Sequence, residues 1–222
     1  MKPPLALLLA SALLGSPPMA SAEEIRPGVL RTPDSRFVDL PDFPFEPHYV
    51  QIDGMRVHYV DEGPRDAEPV VPIHGEPTWS YLFRDMIPVL VDAGYRVLAP
   101  DLIGFGRSDK YLDEAEYGYD KQVDFMREWL VRLDLREAIV LLGGPEVPRE
   151  AYEAPFTDAD PVTAGGEDSF MERVPSARRV TIRGARHFVQ EDAGVPLARL
   201  MVDFMQGRPL PTEIEVDRGA TP

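Results

Sequence analysis

Short apolar runs alternate with segments of helical periodicity along the chain from residue 48 onward. Residues 49–52 and 55–60 are two such runs, and the Asp53-Gly54 pair between them is typical of a β-hairpin turn. Further apolar runs predict buried strands at residues 68–73, 96–101 and 138–142.

Two segments with apolar residues three and four positions apart lie between these strands and predict amphipathic helices. Their predicted apolar faces are Leu82, Met86, Val89 and Leu90 in residues 81–91, and Val123, Met126, Leu130 and Leu133 in residues 120–133. Gly94 is a candidate C-cap of the first helix. A hairpin followed by alternating strands and helices predicts an α/β fold with a mostly parallel sheet.

The two ends of the chain do not follow this pattern. Residues 1–22 combine Lys2, an apolar core and the small residues Ala20-Ser-Ala22, which predict a signal peptide that is removed on export. The mature protein is then expected to be periplasmic or secreted, without a stable membrane anchor. Residues 23–46 predict an irregular segment, residues 47–206 a single domain, and the polar residues 207–222 a disordered tail.

Composition narrows the range of partners and chemistries. The formal charge of −15 argues against nucleic acid or an anionic membrane surface as a partner. The absence of cysteine excludes disulfides, thiolate metal sites and a cysteine nucleophile.

Gly104 and Gly106 follow the predicted strand at 96–101. A dinucleotide-binding fingerprint needs a third glycine and a helix that opens directly after the strand, whereas Arg107-Ser-Asp109 follows here. The two glycines therefore predict a tight turn and no nucleotide site.

The stretch from His74 to Tyr81 is the strongest candidate for a functional site. A His-Gly step at the end of a strand lets the chain turn sharply, with backbone N–H groups directed into a cleft where negative charge can develop. A structural histidine in an ordinary strand-to-helix turn is the alternative interpretation, and the eight-residue context favours the site.

Four motifs in this order resemble the haloalkane dehalogenases, a branch of the α/β-hydrolase fold. They are His74-Gly-Glu-Pro-Thr-Trp-Ser-Tyr81, Pro100-Asp-Leu-Ile-Gly-Phe-Gly-Arg-Ser-Asp109, Asp158-Ala-Asp-Pro-Val-Thr163 and His187-Phe-Val-Gln-Glu191. The resemblance implies a small halogenated alkane as substrate, and no metal or organic cofactor. In such enzymes an aspartate displaces halide from carbon to form an ester, and a histidine paired with an acidic residue activates the water that hydrolyses it.

The resemblance also implies roles for particular residues. His187 matches the catalytic base, and Asp160 matches the acid that orients it, with Asp158 as the alternative. Glu76 matches the residue whose backbone N–H helps to form the oxyanion hole. Trp79 lies on the halide side of the site and is expected to pack near the pocket rather than to bind halide.

No nucleophile is found. The fold places it at a strand-to-helix turn after residues 138–142, but Gly143-Gly-Pro-Glu146 follows there, and no Gly-x-Asp/Ser-x-Gly pattern occurs in the chain. Only residues 143–177 separate this strand from the last one, too few for the elbow helix, the cap and two strands of the family. An internal deletion, with its scar at about 143–176, accounts for this absence.

Three functions from different classes remain open. The first is a haloalkane dehalogenase-like hydrolase, impaired because it lacks a nucleophile. The second is an epoxide hydrolase or another α/β-hydrolase, which shares the Asp–His–acid chemistry but requires cap tyrosines to protonate an epoxide oxygen. The third is a non-catalytic relic or binding protein on the same scaffold.

Overall fold

The computed structural model describes residues 21–135, 138–142, 180–186 and 188–216. Its strands are β1 (Glu23–Arg26), β2 (Val29–Arg31), β3 (His48–Ile52), β4 (Met55–Glu62), β5 (Pro69–Ile73), β6 (Arg96–Pro100), β7 (Lys110–Tyr111), β8 (Ile139–Leu142), β9 (Thr181–Arg183) and β10 (Glu213–Glu215). Its α-helices are α1 (Met86–Asp92), α2 (Tyr119–Arg132) and α3 (Val189–Met205), and 3₁₀ turns occur at Asp34–Phe37, Ser80–Phe83 and Glu114–Glu116.

Five strands form the central sheet in the order β3-β4-β6-β5-β8. β5 pairs in parallel with β6 and β8, whereas β4 is antiparallel to both β3 and β6. Asp53 and Gly54 both have positive φ, at 49° and 74°, as a type I′ hairpin turn requires. The hairpin and the three later strands are confirmed, and the hairpin makes the described sheet mixed rather than mostly parallel.

Successive residues of the sheet strands enter two separate cores, because side chains alternate between the faces of a strand. Val70 and Val97 pack with α1 and α3 on one face. Val71 and Leu98 pack with α2 on the other. All four side chains are fully buried, so the sheet lies between two helical layers, as in other α/β proteins.

Close packing of α3 against α1 holds the start of α3 beside the sheet. Gly194 lies where α3 comes nearest to the start of α1, and an added Cβ there would lie 3.0 Å from the Asp85 Cβ. α3 bends one residue earlier, at Ala193, whose φ of −148° is not helical, and Pro196 follows in the first turn after the bend.

The helix predicted over residues 81–91 is split into the 3₁₀ turn Ser80–Phe83 and α1. Pro88 explains the break, because in the interior of a continuous helix it would lack an N–H and its ring would clash with the carbonyl of Arg84. In α1 as observed, Pro88 lies in the first turn, where proline is tolerated. Gly94 follows α1 with φ of 93°, which confirms the predicted C-cap.

The face of α2 that packs on the sheet includes three of the four predicted residues and is centred on two others. Phe125 and Trp129, one turn apart, enter the core, whereas Val123 is 45% exposed. Met126 and Leu130 are half-buried and pack at the edge of that core. Leu133 also packs against that core, so only Val123 was assigned wrongly, because α2 has apolar residues around more of its circumference than the sheet covers.

Two predictions about the ends of the domain are wrong in part. Residues 23–46 include a hairpin of β1 and β2, and β2 pairs with β7, about 80 residues later in the chain. Residues 207–222 include β10, which pairs in parallel with β9. The strands β7 and β9, which attach these two segments to the rest of the domain, are distant in sequence, so local composition carries no sign of these pairings. The scar at about 143–176 lies outside the described residues.

A buried carboxylate attaches the first hairpin to the rest of the molecule. Asp109 is fully buried and accepts two hydrogen bonds from the Arg31 guanidinium, at 2.7 and 2.9 Å. It also accepts the backbone N–H of Arg56 on β4 at 2.7 Å. The hydrogen bonds that Arg31 donates to Asp109 raise the pKa of Arg31, which keeps its guanidinium charged.

We expect Asp109→Asn to lower the free energy of unfolding by about 2–3 kcal/mol, because charge-assisted hydrogen bonds to a buried group are lost. Urea denaturation followed by circular dichroism measures this loss. Glu128→Gln is the matched control, since its pair with Arg132 is exposed, and a change within about 0.5 kcal/mol is expected. Equal losses in the two variants would contradict the structural role of Asp109.

Candidate functional site

Three hydrogen bonds in the turn after β5 converge on one backbone carbonyl oxygen. Gly75 O accepts the backbone N–H of Thr78 at 3.0 Å, the Thr78 hydroxyl at 2.8 Å and Nδ1–H of His74 at 3.0 Å. The Glu76–Pro77 peptide bond within the turn is cis. The turn is therefore a compact unit that the His-Gly step begins and Thr78 closes.

The hydrogen bonds of His74 fix its protonation state. Its imidazole is buried, and Nε2 accepts the backbone N–H of Leu102 at 2.9 Å. Nε2 is therefore unprotonated, and Nδ1 carries the hydrogen that is donated to Gly75. Burial lowers the pKa of His74, and the Asp101 carboxylate and the Gly75 carbonyl offset only part of this effect. The neutral ring joins the turn after β5 to the loop after β6.

Asp101, directly after β6, is the second element that fixes the turn. Its carboxylate is fully buried and accepts three hydrogen bonds, from Ser80 N–H at 2.9 Å, Arg107 N–H at 2.8 Å and His58 Nδ1 at 2.8 Å. Burial acts to raise the pKa of Asp101, but the His58 and Ser80 hydrogen bonds outweigh it and the pKa is lowered. Gly106 allows the loop to close over this carboxylate, because a Cβ there would clash with Oδ2.

His58 and Asp101 form an acid–histidine pair, but not the predicted one. Both residues are completely buried, and His58 Nε2 has no hydrogen-bond partner among the described residues. Ser108 continues the network by accepting His58 N–H at 2.9 Å and donating to Asp101 O at 2.7 Å. A substrate cannot reach a pair with no exposed surface, so its role is structural.

The predicted catalytic pair, Asp160 and His187, lies outside the described residues, as do the alternative acid Asp158 and the expected nucleophile position after Leu142. Their roles stay predictions. The segment that follows His187 is described, and Glu191 in α3 accepts two hydrogen bonds from Arg84, at 2.7 and 2.6 Å. The start of α3 is thus attached to the residue that follows the 3₁₀ turn Ser80–Phe83.

Glu76 and Trp79 lie on the turn itself. The Glu76 side chain is exposed, and its backbone N–H donates to no group in the described part of the chain. The Trp79 ring is half-buried and packs against Phe37, Phe43 and Tyr81, with centroids 5.3, 5.4 and 5.6 Å away. Its contacts are those of a packing residue at the edge of the site.

Sequence reasoning missed two residues that shape this turn. Asp101 lies in the second of the four motifs, and its position directly after a buried strand is the signal that could have identified it. Thr78 also lies in a noticed motif, but its bond to Gly75 depends on the backbone path of the turn, which no sequence pattern shows.

Neither a metal centre nor a membrane-spanning helix is found in the described ranges. No group of three or more histidine, aspartate and glutamate side chains in residues 21–135, 138–142, 180–186 and 188–216 could hold a metal ion. Within the same ranges, no helix has the length and apolar character needed to cross a bilayer.

The neutral state of His74 predicts a pH dependence of stability. The unfolded chain binds a proton at this histidine below about pH 6.5, whereas the folded state keeps it neutral to lower pH because burial lowers its pKa. The unfolded state then holds more protons, so the free energy of unfolding should fall as the pH drops through and below 6.5.

Urea denaturation between pH 5 and pH 8 measures this slope, and His74→Gln should reduce it. If His74→Gln and wild type have the same slope, His74 does not titrate on unfolding.

Comparison with known proteins agrees with this architecture. A family model described as the alpha/beta hydrolase fold matches residues 68–144. The crystal structure of a CIB-like hydrolase from Thermoplasma acidophilum superposes with a TM-score of 0.63 over 73% of this chain and 98% of that one. At 16% sequence identity, this likeness shows the fold alone.

Two curated relatives of the chain are haloalkane dehalogenases. The haloalkane dehalogenase of Mycobacterium marinum is 53% identical over 119 residues, which cover 51% of this chain but only 40% of that protein. The haloalkane dehalogenase of Psychrobacter cryohalolentis is 32% identical over 300 residues, covering 82% of this chain and 99% of that protein. That alignment is longer than the 222 residues of the chain, so it leaves gaps in this chain, as an internal deletion requires.

The position of those gaps along the chain stays a prediction, but the relationship does not depend on it. The alignment with the P. cryohalolentis relative spans 99% of that protein at 32% identity. The sheet order and the closed His-Gly turn after β5 agree with this relationship. The chain belongs to the haloalkane dehalogenase family of hydrolases with the α/β-hydrolase fold.

Proposed function

We propose that the turn from Gly75 to Trp79 is the anion-binding wall of a haloalkane dehalogenase site, and that this chain has lost most or all of its turnover. The observation that carries the proposal is the Glu76 backbone N–H, which has no partner among the described residues although the other groups of the turn are fixed. An unpaired N–H on a rigid turn can stabilise a developing oxyanion or a departing halide.

His187 would act as the base and Asp160 as the acid that orients it, with Asp158 as the alternative acid. The Arg84–Glu191 ion pair supports this assignment, because it joins the start of α3, two residues after His187, to the element that follows the turn. The substrate would be a small halogenated alkane, and neither a metal nor an organic cofactor takes part in the proposed reaction.

The missing nucleophile supports the loss of turnover. β8 pairs in parallel with β5 in the described sheet, so its carboxyl end is where the fold requires a nucleophile. The sequence there is Gly143-Gly-Pro-Glu146, which contains neither aspartate nor serine at the turn. With no group to attack carbon, Glu76 and His187 would bind and activate without completing the reaction.

A second candidate is binding without catalysis, which the same unpaired N–H would permit. An epoxide hydrolase is a third, since it shares the Asp–His–acid chemistry. A haloalkane and an epoxide in parallel assays separate these possibilities.

We expect purified protein to release no halide from 1,2-dibromoethane or 1-bromobutane above the buffer rate. Loss of one member of a catalytic unit typically costs on the order of 10⁴-fold or more in rate. Halide release is measured alongside His187→Ala and the P. cryohalolentis relative as positive control, and diol formation is measured with 1,2-epoxybutane. Halide release that His187→Ala abolishes would mean that another carboxylate, such as Glu146 or Asp168, is the nucleophile.

We also propose that the protein is exported and that its signal peptide is cleaved between Ala22 and Glu23. β1 begins at Glu23, so cleavage at this bond would leave every described strand whole. Mass spectrometry of protein recovered from the cell envelope should find Glu23 at the amino terminus, because Ala20-Ser-Ala22 has the small residues that a signal peptidase requires. Full-length protein in the cytoplasm would refute export.

A further inference from the structure

The Gly75 carbonyl oxygen accepts three hydrogen bonds, more than its two lone pairs ordinarily accommodate. The donors come from both sides of the turn, His74 before Gly75 and Thr78 after it. Each donor has a second constraint. His74 is buried and held at Nε2 by Leu102 N–H, and Thr78 contributes both its backbone N–H and its hydroxyl.

A fixed carbonyl also fixes the N–H of the same peptide unit. The peptide bond between Gly75 and Glu76 is trans, because the cis bond of this turn is the next one, Glu76–Pro77. In a planar trans peptide the C=O and N–H groups point in opposite directions. The donors that hold Gly75 O inside the turn therefore direct Glu76 N–H away from it, where it meets no described acceptor.

We propose that His74 and Thr78 are positioning residues, which hold the Gly75–Glu76 peptide in the one orientation that presents Glu76 N–H to a bound anion. The inference rests on the proposed function, since it assigns a purpose to the same turn. It differs from a purely structural role, because it concerns the direction of one N–H bond and not the stability of the fold.

Thr78 offers a matched pair of variants. Thr78→Val removes the hydroxyl donor and keeps the β-branched shape, whereas Thr78→Ser keeps the donor. A flipped Gly75–Glu76 peptide, with Gly75 O directed out of the turn, is the competing conformation. Loss of the Thr78 hydroxyl bond should increase its population about fivefold, the equivalent of about 1 kcal/mol.

The first measurement uses ¹⁵N-labelled full-length protein without ligand. In Thr78→Val, the residual dipolar coupling of Glu76 N–H should shift and its ¹⁵N relaxation dispersion should increase, while the couplings of β5 and β6 stay unchanged. Thr78→Ser should restore the wild-type values.

For His74, long-range ¹H–¹⁵N correlation should show hydrogen on Nδ1 and none on Nε2. Unchanged Glu76 signals in Thr78→Val, or a hydrogen on Nε2 of His74, would overturn the inference.

The second measurement separates the inference from the proposed function. Sodium bromide is titrated into the same samples, with sodium sulfate at equal ionic strength as the reference, and the Glu76 amide shift is followed. Wild type and Thr78→Ser should show saturable binding, and Thr78→Val should bind bromide more weakly, by up to about fivefold. Absence of bromide binding in wild type would remove the proposed anion site, even if the dipolar couplings confirm the orientation of the peptide. Equal bromide affinity in wild type and Thr78→Val, together with unchanged couplings, would remove only the positioning role.

Discussion

The buried carboxylate of Asp101 is the constraint on which the rest of the site depends. An ionised group with no exposed surface is strongly destabilising unless hydrogen-bond donors surround it. Its donors come from three parts of the chain: His58 on β4, Ser80 at the 3₁₀ turn and Arg107 in the loop. Since any displaced donor would leave the charge incompletely solvated, the carboxylate fixes these three elements relative to one another.

A second buried carboxylate extends the same principle along the loop. Asp109 accepts Arg56 N–H and donates its own N–H to Arg56 O, just as Asp101 N–H donates to His58 O. The loop from 101 to 109 therefore runs along β4 and is attached to it at both ends. The two carboxylates thus hold both ends of the loop, and Gly106 within it lies next to the Trp79 ring.

Local patterns in the sequence predicted the elements that carry their own turn signal or apolar run. The Asp53-Gly54 hairpin and the strands at β5, β6 and β8 were predicted, because a turn or an apolar run defines them. The hairpin of β1 and β2 was missed, since its partners Lys110 and Asp109 lie about 80 residues away. The partners of Asp101 were missed because these hydrogen bonds depend on the paths of three chain segments in the folded protein. Val123 was assigned to the core because periodicity does not show how much of the α2 surface the sheet covers.

The hydrogen bonds that shape the turn all come from residues between His58 and Arg107. Among the described residues, these bonds all lie in the first half of the sequence. Under the proposed function, the groups that hold the anion and the group that attacks carbon would therefore lie on different segments of the chain. The deletion that the sequence predicts after residue 142 would then remove the nucleophile and keep all three donors to the buried Asp101 carboxylate, because His58, Ser80 and Arg107 precede it in the chain.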